Sequence, residues 1–231
     1  MRILRPAVAL TVGAALVLAL PVSAATRPKA KTACKLVVDG TQDTFAFRSQ
    51  DTEGAYGPQE DAFDIVSGDL ASNAKTITGV LRVKKLATAV QSAPFGVDFR
   101  VNFSLPGQDP AVENFFLNGR LGTDGVPHFL LGHITRTAPN VSTTVKLADG
   151  TGKFDTAKNE VRISAPLSAV KMGSYALKNG MKIYLSGLDQ TASRVIVVNP
   201  TSDIATATFA DVANSDKTYA AGSASCVKVG V

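Results

Sequence analysis

The longest regular pattern in the chain is an alternation. Phe95, Val97, Phe99, Val101, Phe103 and Leu105 are interleaved with Gly96, Asp98, Arg100, Asn102 and Ser104. Successive side chains of a β-strand point to opposite faces, so the apolar groups share one face and the polar set shares the other. A helix would scatter the same residues around its surface. The pattern predicts a long strand in an antiparallel sheet with one wet face. Shorter alternations recur at Ile77, Leu81 and Val83, at Thr143, Val145 and Leu147, at Val161 and Ile163, and at Met181, Ile183 and Leu185. Phe115-Phe116-Leu117 and Phe129-Leu130-Leu131 are apolar on both faces and predict central strands.

Turn chemistry separates these runs. Asp124-Gly125, Asp149-Gly150 and Asn179-Gly180 are turn formers, because Gly accepts positive φ and Asp or Asn tolerates it. Residues 155–159 form another candidate turn, and residues 106–110 a wider connection rich in Pro. One short helical turn is expected near residues 167–172, after Pro166 and before Gly173. Many short strands with almost no helix predict an all-β fold. The expected architecture is a single antiparallel β-sandwich over residues 34–228, with a closed barrel as the other arrangement that fits the pattern.

The first 24 residues do not belong to that pattern. Arg2 and Arg5 precede an apolar stretch from Pro6 to Leu20, and Pro21-Val22-Ser23-Ala24-Ala25 supplies a helix breaker and small residues. This is the three-part layout of a secretory signal peptide, with a cut expected after Ala24. The apolar core is roughly 15 residues, short of the roughly 20 that a spanning helix needs. Residues 25–33 then form a flexible basic tail. Losing Arg2 and Arg5 takes the formal charge from +5 to about +3, and Arg27, Lys29 and Lys31 hold much of the remainder. The body is close to neutral, so a nucleic-acid partner is not expected. No transmembrane segment is expected after cleavage.

Export gives the two cysteines a meaning. In an oxidising compartment two Cys usually pair, so Cys34 and Cys226 are expected to form a disulfide joining the first strand to the last. Two Cys and two His are too few for a cysteine zinc site and leave little room for a histidine cluster.

Two segments carry a resemblance. One runs Glu60-Asp61-Ala62-Phe63-Asp64-Ile65-Val66-Ser67-Gly68-Asp69-Leu70 into a strand over residues 75–84. The other runs from Phe154 through Val161-Arg162-Ile163-Ser164-Ala165-Pro166-Leu167-Ser168 to Val170. An acidic opening with Asp-Ile at a strand start, and a later strand ending in Pro-Leu-Ser, resembles secreted bacterial domains of the DOMON-like group. That group is related in fold to family nine carbohydrate-binding modules. The resemblance implies a jelly-roll-like sandwich, generally without catalysis, that binds sugars, haem or other partners. The sugar-binding modules hold sugars between aromatic rings, often Trp, and this chain has no Trp.

Three sets of residues are candidate sites. The polar face of the long strand, Asp98, Arg100 and Asn102, is the candidate ligand-binding surface. Glu53, Glu60, Asp61 and Asp64, near Gly54 and Gly57, could wrap a calcium ion, which takes six to eight oxygens. Calcium is the one cofactor this loop could hold. His128 and His133 are five apart and should face opposite sides of a strand. With Met172 or Met181 one of them could ligate haem, as in haem-binding members of the group. There is no G-x-S-x-G elbow, H-E-x-x-H pair or phosphate-binding glycine loop. The expected function is a secreted, non-enzymatic binding module for an extracellular glycan or envelope component, with carbohydrate as the candidate ligand. The alternatives are a structural or interaction protein with no small-molecule site, and a haem-binding redox domain.

Overall fold

The alternating segments assemble into two main antiparallel sheets that bury their apolar faces against each other. The computed structural model describes residues 32, 34–40, 47–48, 60–87, 93, 95–139, 141–188, 191–197 and 208–231. In chain order the strands begin with β1 (Val37–Val38), β2 (Phe47–Arg48), β3 (Ile65–Ser72), β4 (Thr76–Val83), β5 (Val97–Phe103) and β6 (Glu113–Leu121). They continue with β7 (Pro127–Ala138), β8 (Val141–Asp149), β9 (Thr151–Asp155), β10 (Glu160–Pro166), β11 (Lys171–Met172) and β12 (Tyr175–Ala176). The last are β13 (Lys182–Tyr184), β14 (Thr191–Val197), β15 (Thr208–Asn214) and β16 (Thr218–Ala220).

A five-stranded sheet runs β1-β3-β4-β10-β9, and a seven-stranded sheet runs β2-β15-β14-β5-β6-β7-β8. Two small ribbons, β11-β12 and β13-β16, complete the set. The fold is therefore all-β, with several antiparallel sheets in a sandwich-like arrangement. Ile65, Leu70, Ile77, Leu81, Val161 and Ile163 from the small sheet join one core with Phe99, Val101, Phe103, Phe115, Leu117 and Val195 from the large one. Within β4, β5, β6 and β10 these residues lie at alternate positions, and in β3 a bulge between Ile65 and Ser67 brings Ile65 and Leu70 to the same side.

β5 covers the centre of the alternation seen in the sequence. Val97, Phe99, Val101 and Phe103 point into the core, and Asp98, Arg100 and Asn102 share the outer face. Phe115-Phe116-Leu117 lies in β6, flanked by β5 and β7, so its backbone is paired on both sides. Asn159 at φ 52° and Gly180 at φ 80° sit in the turns expected near them.

The structure corrects two local expectations. Asp149-Gly150 is not a hairpin turn. The chain runs on from β8 in the large sheet to β9 in the small one, with Gly150 at the corner. The Gly150 amide donates to the Phe129 carbonyl at 2.9 Å, and an added Cβ would stand 2.9 Å from the Ser164 carbonyl oxygen. Close backbone approach, not turning, is what requires glycine here. The helical turn expected over residues 167–172 is only Leu167–Ala169, because Lys171–Met172 pairs as β11 with Tyr175–Ala176.

The last residues lie across the outer face of the small sheet. Val227 and Val229 pack with Ala71 and Val80. Arg162 donates to the Lys228 carbonyl at 2.7 Å, and the Gly230 amide donates to Thr78 Oγ1 at 2.9 Å. This path carries Cys226 to Cys34. Both are exposed, and their side chains are in hydrogen-bonding contact with each other. Local desolvation, the Cys34 thiol and the Asp69 carboxylate push the Cys226 thiol up to about 11. Residues 1–24, expected to be a signal peptide, lie outside the described residues, as do residues 25–33, expected to be a basic tail, except Thr32. Among the described residues no helix is long and apolar enough to cross a membrane.

Candidate functional site

The outer face of the large sheet carries an open groove of about 550 Å³. Its floor is built from alternate residues of neighbouring strands. Antiparallel register sets Asp98 opposite Arg120 and Arg100 opposite Asn118 across β5 and β6. It sets Asn118 opposite Leu130 and Arg120 opposite His128 across β6 and β7. Phe95 stands at one side, Thr144 and Lys146 of β8 at the other, and the β6–β7 turn supplies Thr123 and Asp124.

Asp98 organises the charges. Arg120 grips it with two hydrogen bonds, Nε to Oδ1 at 2.7 Å and Nη2 to Oδ2 at 2.8 Å. Asn118 Nδ2 donates to Oδ1 at 3.2 Å, and Arg100 Nη2 reaches Oδ2 at 3.5 Å. Burial opposes ionisation of Asp98. The Arg120 hydrogen bonds and the charges of Arg100 and Arg120 overcome it and hold the carboxyl below its usual range. Asp98 is therefore an ionised counter-ion at neutral pH.

Arg100 is held flat. Its Nε donates to Asn118 Oδ1 at 3.1 Å, and its guanidinium carbon lies 4.6 Å from the centre of the Phe116 ring. A cation over an aromatic face is attracted by the ring quadrupole. Phe116 can occupy that place because its cross-strand partner is Gly132. A Cβ on Gly132 would come within 2.3 Å of the Phe116 ring. Desolvation first, then repulsion from Arg120, lowers the Arg100 pKa despite the attraction of Asp98. Arg194, opposite Arg100 on β14, is turned to the Thr191 hydroxyl and the Leu188 carbonyl.

The rim charges are paired locally. His128 Nε2 lies 3.2 Å from Asp124 Oδ2, and Lys146 Nζ lies 2.5 Å from Asp149 Oδ1. The His128 contact and the Val126 amide hold Asp124 below the usual carboxylate range.

Of the residues expected on this face, Asp98 and Arg100 line the groove and Asn102 does not. Asn102 is buried, and its Nδ2 donates to the Thr191 carbonyl at 3.1 Å. Gly187 and Thr191 cover that end of the face; a Cβ on Gly187 would stand 2.8 Å from Asn102 Cβ. Phe116, Asn118, Arg120 and Lys146 were not singled out in the sequence. Asn118 and Arg120 do stand two apart beside an apolar run, which is the signal that could have found them.

Three of the four acidic residues expected to hold calcium are described. Glu53 lies outside the described residues. Asp61 pairs with Lys84 Nζ at 2.7 Å, while Asp64 is buried. Glu60 uses its carbonyl to accept the amides of Phe63 and Asp64. Among the described residues no three His, Cys, Asp or Glu come together to hold a metal ion. His128 and His133 face opposite sides of β7, one in the groove and one buried. His133 packs edge-on against Phe115 and lies 3.3 Å from Glu113 Oε2. Met172 and Met181 pack against the core.

No protein-family model, curated protein or solved structure matches the chain.

Proposed function

We propose that the protein is an exported, non-catalytic binding module that takes a carbohydrate of the extracellular space or cell envelope into the groove over β5, β6 and β7. On this proposal residues 1–24 are removed as a signal peptide. Residues 34–228 then act as one jelly-roll-like sandwich, closed by a Cys34–Cys226 disulfide. The observation that carries it is the groove itself, about 550 Å³ and open along the sheet. Phe95 is 46% exposed beside it, an apolar ring next to amide, hydroxyl and guanidinium groups. Sugar rings present apolar faces and polar edges, and that mixture suits both. Absence of catalysis is supported by Asp98. The buried carboxylate of the groove is tied to Arg120 and held ionised, which suits anchoring better than proton transfer.

A broad glycan array that includes bacterial envelope polysaccharides tests the proposal. Saturable binding that Phe95→Ala weakens is expected. An array without hits would overturn it.

One feature favours a second function, that of an interaction protein. β8 is the edge of the large sheet, and its Val141 and Val145 are 53% and 39% exposed. Edge strands offer unpaired backbone groups to another chain. Concentration-dependent self-association or strand addition, with an empty glycan array, would favour it.

A further inference from the structure

We infer that the ligand of the groove is an acidic glycan, with a sugar carboxylate seated on Arg100. This rests on the groove being a carbohydrate site and specifies what kind of carbohydrate it takes.

The charges of the groove are unequally served. Both arms of Arg120 close on Asp98, His128 faces Asp124, and Lys146 faces Asp149. Arg100 has no carboxylate of its own. Its Nε is spent on the neutral Asn118 amide, and its Nη2 only reaches Asp98 at 3.5 Å. Its Nη1 has no hydrogen-bond partner among the described residues. The Arg100 side chain is 19% exposed and lies on the groove floor. Arg120 lies diagonally from it and its charge bears on Arg100, while Arg194 opposite is turned to Thr191 and Leu188.

A mostly buried cation with unspent donors and a cationic neighbour is a site for an anion. Desolvation and Arg120 already weaken the hold of Arg100 on its proton, and a bound carboxylate would reverse that. The geometry selects among anions. Phe116 beneath and Asn118 at Nε fix the guanidinium plane, so its free donors point in set directions. A planar fork of this kind matches a carboxylate, and the groove runs on from Arg100 toward Phe95 and the β6–β7 turn. Exposed Phe95 offers a face to a neighbouring sugar ring. The lining is mixed rather than uniformly basic, which suits one acidic group among hydroxyls better than a densely charged polyanion.

The test is calorimetric titration of the full mature protein with three probes of equal length. They are an oligogalacturonate hexamer, its fully methyl-esterified form, and an uncharged gluco-oligosaccharide. The acidic hexamer should bind about ten- to hundredfold more tightly than its ester, as expected for one charge-assisted pair. Its affinity should fall between 50 and 500 mM NaCl, while that of any uncharged ligand stays level. Arg100→Gln should abolish the preference for the acid. Arg100→Lys, which keeps the charge and loses the planar fork, should retain only part of it. The wild-type comparison stands even if a variant fails to fold. Equal binding of acid and ester would overturn the acidic-ligand inference and leave the carbohydrate module standing. Tighter binding of a sulfated hexamer than of the uronate would overturn the carboxylate assignment. No binding of any oligosaccharide would overturn both.

Discussion

Gly132 faces Phe116 across β6 and β7, and the Phe116 ring occupies the space that any side chain at 132 would need. The same ring is the bed on which Arg100 lies. A residue with no side chain therefore sets the position of the groove's central cation two strands away. Gly132→Ala should cost about 1–3 kcal/mol through overpacking. Thermal or urea unfolding would show it, and Phe116→Leu in the same chain should recover part of the loss. Additive destabilisation in that double variant would mean that the two positions do not share space.

Asp98 gives an acid-limb prediction. Its folded-state pKa is held below the unfolded value of about 3.9. The stabilisation is complete above that unfolded value and is lost as pH falls through the folded one. Asp98→Asn should flatten the stability profile below about pH 4. Asp98→Ala should cost about 2 kcal/mol at neutral pH, less than a fully buried pair because Arg120 is half exposed. Urea unfolding midpoints from pH 2 to 7 separate the two effects. A wild-type profile as flat as that of the Asn variant would contradict the ion pair.

His133 gives a second pH window. Burial lowers its pKa, and the nearby Glu113 only partly offsets that. The unfolded chain then binds a proton more readily than the folded one. Stability is full above the unfolded value of about 6.5 and declines as pH falls below it. His133→Gln should remove the decline between pH 6.5 and 5. Denaturation midpoints at those two pH values decide it, and an unchanged slope would place the effect elsewhere.

For the cysteines the expectation is covalent. Protein exported to an oxidising compartment should be two hydrogens lighter than its reduced form, with one bond between Cys34 and Cys226. Intact mass before and after reduction would show this. A loop this long gives about 5 kcal/mol in chain-entropy theory, and measured gains are commonly lower. Cys34→Ser with Cys226→Ser should therefore lower stability by about 2–5 kcal/mol. Once reduced, Cys226 should alkylate slowly at neutral pH, since its thiol is pushed up to about 11. Rapid labelling at pH 7 would contradict that environment.

The sequence made some of this legible and hid the rest for physical reasons. Alternation in β5 assigned Asp98 and Arg100 to one outer face, because parity along a strand is local information. The same parity placed Asn102 there, and a segment some 85 residues later covers it. Coverage is not encoded in the strand it covers. Phe115-Phe116-Leu117 looked uniformly apolar, so nothing distinguished Phe116 as a platform for a cation until register set it between Asn102 and Gly132. Register between strands is a property of the pair. Asp149-Gly150 has the composition of a turn, yet glycine also permits close approach of chains, and only the packing of Ser164 and Phe129 decides which is at work.

That corner has a consequence for how the molecule can move. β8 forms the far wall of the groove as the edge strand of its sheet, where a flap would be expected to swing. Its chain continues through Gly150, tied to the Phe129 carbonyl, into β9, which is zipped to β10 in the other layer. Outward rotation of the wall would have to peel β9 from β10. The groove is thus braced from behind by the opposite sheet, and a ligand would meet a fixed trough instead of a closing jaw.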